Sequence, residues 1–257
     1  MPGPVAAYVV ACQERTGSNL LCGALSAQGG LGAPDEWLGR SRLHQRLVDS
    51  GTAAPSSTPG APRPGDLDAY VDAMAARTAP GAVFGAKVHW YQLAAALDDG
   101  WLDDVRGAVP RAARSDAVVV RLRRRDRVAQ AVSMLRAQAT GTYVAPADGS
   151  AVDEVRHPEP YWATGGGDPL EEIERVVGTI DAHDARWSQH LAALDVPVLE
   201  VDYEWLTADY DATVRDVLAF LDHPLPATAA VPEPRTARQA DARSAELIEA
   251  YRRSRRS

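Results

Sequence analysis

Residues 5 to 25 read VAAYVVACQERTGSNLLCGAL, and the fold turns on how that stretch divides. Val5 to Cys12 is a short apolar run with β-branched residues, which predicts a strand. From Ser18 the apolar positions Leu20, Leu21, Ala24 and Leu25 recur at helical spacing. RTGSN, residues 15 to 19, joins the two, so the unit is strand, tight loop, helix. A helix N-terminus presents unpaired N–H groups and a partial positive charge, and a phosphate-like anion there needs little beyond a loop that lets it approach. Gly17 removes the Cβ that would block the approach, Ser18 and Asn19 add hydrogen-bonding groups, Thr16 shares the turn, and Arg15 brings a fixed charge. Thr-Gly-Ser is also an ordinary turn and cap, so the loop alone reads either way. The pattern GxxxxGK[ST] is absent and no lysine stands in the loop, which disfavours a nucleoside triphosphatase.

A second unit of the same kind lies downstream. Ala117 to Leu122 reads as a strand and runs into RLRRRDRVAQAVS, Arg121 to Ser133, which places five arginines and one aspartate within residues 121 to 127. Val128, Ala131, Val132 and Leu135 then share one helix face. Arginines that merely solubilise lie along a helix face. These crowd one turn at the carboxyl end of a strand, where open α/β sheets bind ligands. Arg125 at the turn offers a planar fork for an anion, and Ser133, two helical turns on, can add a hydroxyl. Two anion sites at neighbouring strand ends imply a ligand with two separated phosphate-like groups, as in a nucleotide substituted at both 3′ and 5′.

The rest of the chain extends the pattern. Leu67 to Arg77 reads as helix, Ala82 to Val88 as strand with Lys87 near its end, and Tyr91 to Leu97 as helix. A long helix runs from Asp168 or Pro169 to about Leu194, Pro197 to Val201 is a strand, and Asp209 to Leu221 is a helix. This order predicts an α/β fold with a parallel sheet. The 257 residues, 46% apolar, suit one domain spanning 1–257. Two stretches are expected to be mobile loops: residues 50 to 65, rich in Pro, Gly, Ser and Thr, and residues 141 to 168, long and without a clean period.

Twenty-seven basic against 35 acidic residues give a net charge of −8, so a broad footprint for nucleic acid is excluded. No apolar run approaches the ~20 residues of a bilayer span and no signal peptide is evident, which predicts a cytoplasmic protein without membrane insertion. Cys12 and Cys22 suit buried, inert thiols better than a disulfide or a metal cluster. The segment from Arg235 carries seven arginines and, on composition alone, reads as a solvated helix end.

RTGSNLLCGAL, GAPDEW, FGAKVHW, RRRDRVAQAVS and RQADARSAE, in that order, together resemble the bacterial trehalose 2-sulfotransferase family of sulfotransferases that use 3′-phosphoadenosine 5′-phosphosulfate (PAPS). The resemblance touches residues 8 to 37, 82 to 92, 117 to 142 and 235 to 254. It implies the P-loop-type sulfotransferase fold, a central parallel sheet flanked by helices, no metal, adenosine 3′,5′-bisphosphate as product, a homodimer, and as acceptor a hydroxyl of a sugar or glycosylated metabolite. RTGSNLL then corresponds to the 5′-phosphosulfate loop, Arg125 and Ser133 to the 3′-phosphate motif, and Arg238 with Gln239 to a C-terminal pair that closes over the nucleotide.

Glu36, with Gly32 and Pro34 in a G-x-P-x-E context, is implied as the base that takes the hydroxyl proton; without the motif it is a solvated loop carboxylate. His89 is the second candidate base, because Lys87-Val88-His89 resembles the Lys-x-His of animal cytosolic sulfotransferases. Lys87 joins Arg15 and the amides of Gly17 to Asn19 as candidates to meet charge growing on the leaving phosphate, and reads equally as a lysine at a strand end. Trp37, Trp90, Tyr143 and Trp162 are either acceptor-side faces or core. Two rival readings stand beside this one: a P-loop-type small-molecule kinase, which needs magnesium and a triphosphate, and a non-catalytic sulfotransferase-like binding protein.

Overall fold

In β1 (Ala7–Cys12) all six residues are buried, as in a strand covered on both faces. Ala7, Val9 and Ala11 enter one apolar core and Tyr8, Val10 and Cys12 another, following the two-residue period of a strand. The computed structural model, which describes residues 5–79, 83–145, 147–148, 168–237, 239 and 242–256, pairs β1 in parallel with β2 (Phe84–His89) on one side and β3 (Ala117–Arg123) on the other. β4 (Val198–Asp202) pairs in parallel with β3, giving the order β2-β1-β3-β4. The chain is thus an α/β fold whose parallel sheet carries helices on both faces, as the order of elements predicts.

The first face is covered by α2 (Arg40–Ser50), α3 (Leu67–Thr78), α4 (Trp90–Asp98) and the end of α6 (Pro169–Ala192), which bring Leu43, Tyr70, Leu93 and Trp187 into the core. The second is covered by α1 (Ser18–Gln28), the short α7 (Tyr203–Ala208) and α8 (Tyr210–Phe220) through Leu21, Leu25, Leu206 and Val217. α5 (Arg127–Thr140), α6 and α9 (Ala242–Ser254) form a third cluster around Leu135, Ile173 and Tyr251. Two 3-10 turns, Val105–Ala108 and Arg111–Asp116, lead into β3.

Residues 51 to 65 contain neither helix nor strand, but isolated bridges join Ala53 to Pro64 and Thr58 to Ala61. The other stretch expected to be mobile lies mostly outside the described residues. The arginine-rich C-terminal segment docks as α9: Tyr251 is buried against α5 and α6, and Arg252 Nη2 lies 2.8 Å from Asp126 Oδ2. Among the described residues no helix is long and apolar enough to cross a membrane.

Candidate active site

The chain leaves β1 toward β2 on one side and leaves β3 toward β4 on the other, so the connections at the carboxyl ends of β1 and β3 diverge, and open sheets bind ligands in the crevice such a switch creates. A cavity of about 320 Å³ opens there, among Arg15, Gly17, Asn19, Arg124, Ser133 and Arg136. Gly17 takes φ 84° and a Cβ at that position would lie 2.8 Å from the Tyr203 ring, so glycine is required for both conformation and space. Thr16 points away, its Oγ1 donating to Gln13 O at 2.7 Å. Ser18, the first residue of α1, lines the cavity with Asn19.

Arg15 gathers the cavity's walls. Its Nε donates to Ser133 Oγ at 2.9 Å, Nη1 to the Tyr143 carbonyl and Nη2 to Gln239 Oε1, joining the loop after β1 to α5 and to the C-terminal segment. Burial lowers its pKa, and the Arg124 and Arg136 guanidinium groups lower it further. Three like charges around one cavity repel until an anion enters. Gln239 Nε2 is buried without a partner among the described residues, a further donor at the same wall. The residues present therefore fit a phosphorylated ligand.

Arg125 is placed differently from its neighbour. Its Nε donates to Asp202 Oδ2 at 2.7 Å and its guanidinium stacks 4.4 Å above the Trp205 ring, outside the cavity wall, whereas Arg124 lines the cavity over the Tyr203 ring at 4.5 Å and donates to the Arg15 carbonyl at 3.3 Å. The aspartate of RRRDR caps α5: Asp126 Oδ1 accepts from Ala129 N at 3.0 Å. Arg238 and Trp162 lie outside the described residues.

The three acid–base candidates converge at the far side of the loop. Lys87 and His89 stand two apart on β2 and so face the same way, toward the start of α1, where Asn19 Oδ1 accepts from Lys87 Nζ at 2.7 Å. The segment holding Glu36 runs along the outer edge of β2, with Lys87 N donating to Asp35 O at 2.9 Å and Trp37 Nε1 donating to Gly85 O at 2.9 Å. Arg46 of α2 fixes it from behind, donating to the Glu36 carbonyl and the Asp35 carboxylate while stacking on Trp37. Glu36 Oε1 then lies 2.8 Å from Lys87 Nζ and 3.3 Å from His89 Nε2, and Oε2 accepts from Gln92 Nε2 at 2.7 Å. Gln92 Oε1 in turn accepts from His89 N at 3.1 Å.

Lys87, His89 and Gln92 are 5%, 4% and 2% exposed, so the charges of the first two and the amide of the third have almost no water to lean on. Burial opposes the charged form of Glu36, but the His89 and Lys87 contacts outweigh it and hold the carboxyl far below the usual carboxylate range. Burial likewise opposes a charged Lys87, and the Glu36 carboxylate more than restores it. His89 is pushed down by burial and up, on balance, by the Cys12 sulfur 3.6 Å from Nδ1 and by Glu36 on Nε2. The cluster is an ionised carboxylate between two cations, able to accept a proton and to offer positive charge at adjacent points. Cys22 is inert, its pKa pushed up to about 12 by burial.

Four residues that sequence reasoning passes over help build the site. Arg124 is hidden in an arginine run that does not say which member turns inward, and Arg136 stands alone on α5, outside that run. Gln92 sits in the third position after a histidine, not after the Ser or Thr that marks a capping box, and Arg46 lies on a helix with only Leu43 and Leu47 buried. Trp37 and Trp90 pack inward against Phe84 and Trp187.

The family model described as Stf0 sulphotransferase matches residues 7–254. A protein named Trehalose 2-sulfotransferase from Mycolicibacterium smegmatis is 29% identical, over 96% of this chain and 94% of its own length. One of the same name from Mycobacterium tuberculosis is 27% identical, over 98% of this chain and 96% of its own. Among solved structures, the sulfotransferase domain from the curacin biosynthetic pathway shares 13% identity, covers 88% of this chain and 77% of that one, and superposes with a TM-score of 0.50, a likeness of fold. Among the described residues no group of three His, Cys, Asp or Glu side chains gathers as a metal site would need.

Proposed function

We propose that this chain, which belongs to the Stf0 sulphotransferase family, transfers a sulfuryl group from PAPS to a hydroxyl of a sugar or a glycosylated small molecule. The observation that carries the reading is one connected network: three guanidinium groups around a cavity at the β1 switch point, linked through Asn19 to the Lys87–Glu36–His89 cluster. A nucleotide phosphorylated at both 3′ and 5′ meets positive charge from more than one wall of that cavity.

In transfer, the acceptor oxygen attacks sulfur in line, the bond from sulfur to the phosphate oxygen breaks, and the hydroxyl proton leaves; positioning and charge stabilisation dominate such reactions. Arg15 and the amides of Gly17 to Asn19 are assigned to the 5′ side, Arg124 and Ser133 to the 3′ side, with Gln239 and Arg238 closing over the nucleotide. Lys87, held by Asn19 and Glu36, is assigned to turn from Glu36 toward the leaving oxygen. As it does, Glu36 loses a cation, its basicity climbs, and it takes the proton from the hydroxyl. His89 keeps the carboxylate oriented, and it becomes the second candidate for the proton only after giving up its own.

The two relatives' names make trehalose the first acceptor to test. Thermal-shift titration should show stabilisation by adenosine 3′,5′-bisphosphate and none by ATP with magnesium, since a ligand that binds the native state raises its apparent stability. Mass spectrometry of purified protein with PAPS and a panel of sugars should then show an 80 Da gain, roughly one sulfuryl group, on one of them. Preference for ATP overturns the donor assignment, and tight nucleotide binding without any turnover makes the chain a binding protein. The homodimer that the resemblance implies is tested by sedimentation velocity.

A further inference from the structure

Tyr91, in the first turn of α4, stands beside the Glu36 cluster with part of its side chain exposed. It is 37% exposed, and its ring lies nearly parallel to that of His89, with centroids 5.8 Å apart and an interplanar angle of 8°. The aromatic residues flanking it in sequence and space do not compete for this role, because Trp37 and Trp90 are packed inward.

The hydrogen-bond inventory of the cluster leaves two specific vacancies. An ionised carboxylate has about four acceptor positions. In Glu36, Lys87 and His89 take those on Oε1 and Gln92 takes one on Oε2, so a single position on Oε2 remains. Gln92 Nε2 has two hydrogens; the second goes to Tyr91 Oη at 3.2 Å. The Tyr91 oxygen is therefore an acceptor toward Gln92, and among the described residues its own proton is donated to no partner. Glu36 Oε2 and Tyr91 Oη thus stand on one planar amide nitrogen, about 5 Å apart by its trigonal geometry. One wants a proton and the other has one to give. Burial first, and then the Glu14 and Glu36 carboxylates, raise the Tyr91 pKa, so the hydroxyl stays a donor at every pH where the protein works.

We propose that Tyr91 sets acceptor specificity: Glu36 Oε2 receives the reacting hydroxyl while Tyr91 Oη donates to the oxygen on the neighbouring carbon, the ring supporting the sugar's apolar face, so that the site selects vicinal oxygens. Two neighbouring ring oxygens, each at hydrogen-bonding distance from its partner, match that spacing. A lone alcohol engages only half of the site. The inference deepens the sulfuryl-transfer reading above and rests on it.

The experiment is a cycle between protein and substrate. Wild type and Tyr91→Phe are assayed with trehalose and its monodeoxy analogues, and adenosine 3′,5′-bisphosphate affinity is measured for both as a check on folding. Tyr91→Phe should lose about tenfold in kcat/KM on trehalose with nucleotide affinity kept, as expected for one hydrogen bond to substrate. Wild type should lose a similar factor on the analogue lacking the oxygen next to the sulfated one, and the two losses should not multiply when combined. Tyr91→Ala should lose more than Tyr91→Phe, because the platform goes too. If Tyr91→Phe stays within twofold of wild type, or if the two losses multiply, the proposal is overturned while sulfuryl transfer stands. Should Tyr91→Phe prove unfolded, indifference of wild type to every neighbouring deoxygenation overturns it equally. A wild-type protein that binds the bisphosphate yet sulfates no sugar removes the carbohydrate acceptor and this inference with it.

Discussion

Replacing Glu36 by glutamine keeps the shape of the side chain and removes the one negative charge between Lys87 and His89. Losing a general base at a hydroxyl acceptor costs typically 10²–10⁴-fold in rate, and kcat should fall by a factor in that range. Affinity for adenosine 3′,5′-bisphosphate should stay within about twofold, because Glu36 stands apart from the residues around the nucleotide cavity. Stability should fall as well. Breaking a fully buried ion pair costs about 3–5 kcal/mol. Here the Glu36 side chain is 32% exposed, glutamine keeps an acceptor oxygen, and Asn19 still accepts from Lys87, so about 1–2 kcal/mol is expected. For a domain of this size that is a fall in Tm of roughly 2–8 °C. The assays are initial rates by mass spectrometry, calorimetric titration with the bisphosphate, and thermal unfolding at pH 7. Full turnover by Glu36→Gln would refute the base assignment. An unchanged Tm would refute the account of the cluster as two buried cations held by one carboxylate.

Arg124→Ala should weaken bisphosphate binding by about 10- to 100-fold, the worth of a charge-assisted hydrogen bond, whereas Arg125→Ala, which loses an exposed pair with Asp202, should change it by no more than about twofold; titration calorimetry on both separates the two arginines. Gly17→Ala should lower stability by about 1–2 kcal/mol for its φ of 84° alone, and bisphosphate should no longer raise Tm, because the added Cβ intrudes on a loop and on a Tyr203 ring that both line the cavity. Stability should depend on pH through two members of the cluster with opposite signs. The raised pKa of His89 gives a contribution complete below its unfolded value of about 6.5 and lost as pH rises through the folded one, so Tm of wild type should decline from pH 6 to 9 more steeply than that of His89→Gln. The depressed pKa of Glu36 gives a contribution complete above about 4.3 and lost as pH falls, so Glu36→Gln should show a shallower acid decline between pH 5 and 3.

The sheet was legible because its two inner strands carry the signal that matters. β1 and β3 are buried along almost their whole length; β1 reads as an unbroken apolar run and β3 as one interrupted only by Arg121 before its end, and each is followed by a turn whose composition does not suit a core. α2 and α7 were not legible for opposite reasons. α2 buries only Leu43 and Leu47, too narrow a stripe to stand out from its charged residues, and α7 has six residues, less than two turns. α9 was hidden by its arginines. Its helix buries Ser244 and Tyr251 and relies on Arg252 reaching Asp126, a contact that composition reads as solvation.

At the site, what the sequence could deliver was a set of residue types near the ends of strands; what it could not deliver was direction. Lys87 and His89 were tied together by the strand's two-residue period, and Glu36 joins them only because Asp35 bridges Ala86 at the sheet edge, a pairing between residues far apart in the chain. The arginine run is the harder case. β3 continues to Arg123, one residue past its apolar end, and the next two side chains leave on different sides of the turn: Arg124 over Tyr203 into the cavity, Arg125 over Trp205 toward Asp202. Asp202 is the last residue of β4, so its register against β3 sets the Asp202 carboxylate beside Arg125, while Arg124 lines the cavity. An arginine already satisfied by a carboxylate is a poor anion receptor, and a ring of arginines facing one another is a strong one. Local composition offers both members of the pair equally, and the choice between them belongs to the pairing of two strands some 80 residues apart, beyond the reach of any window on the sequence.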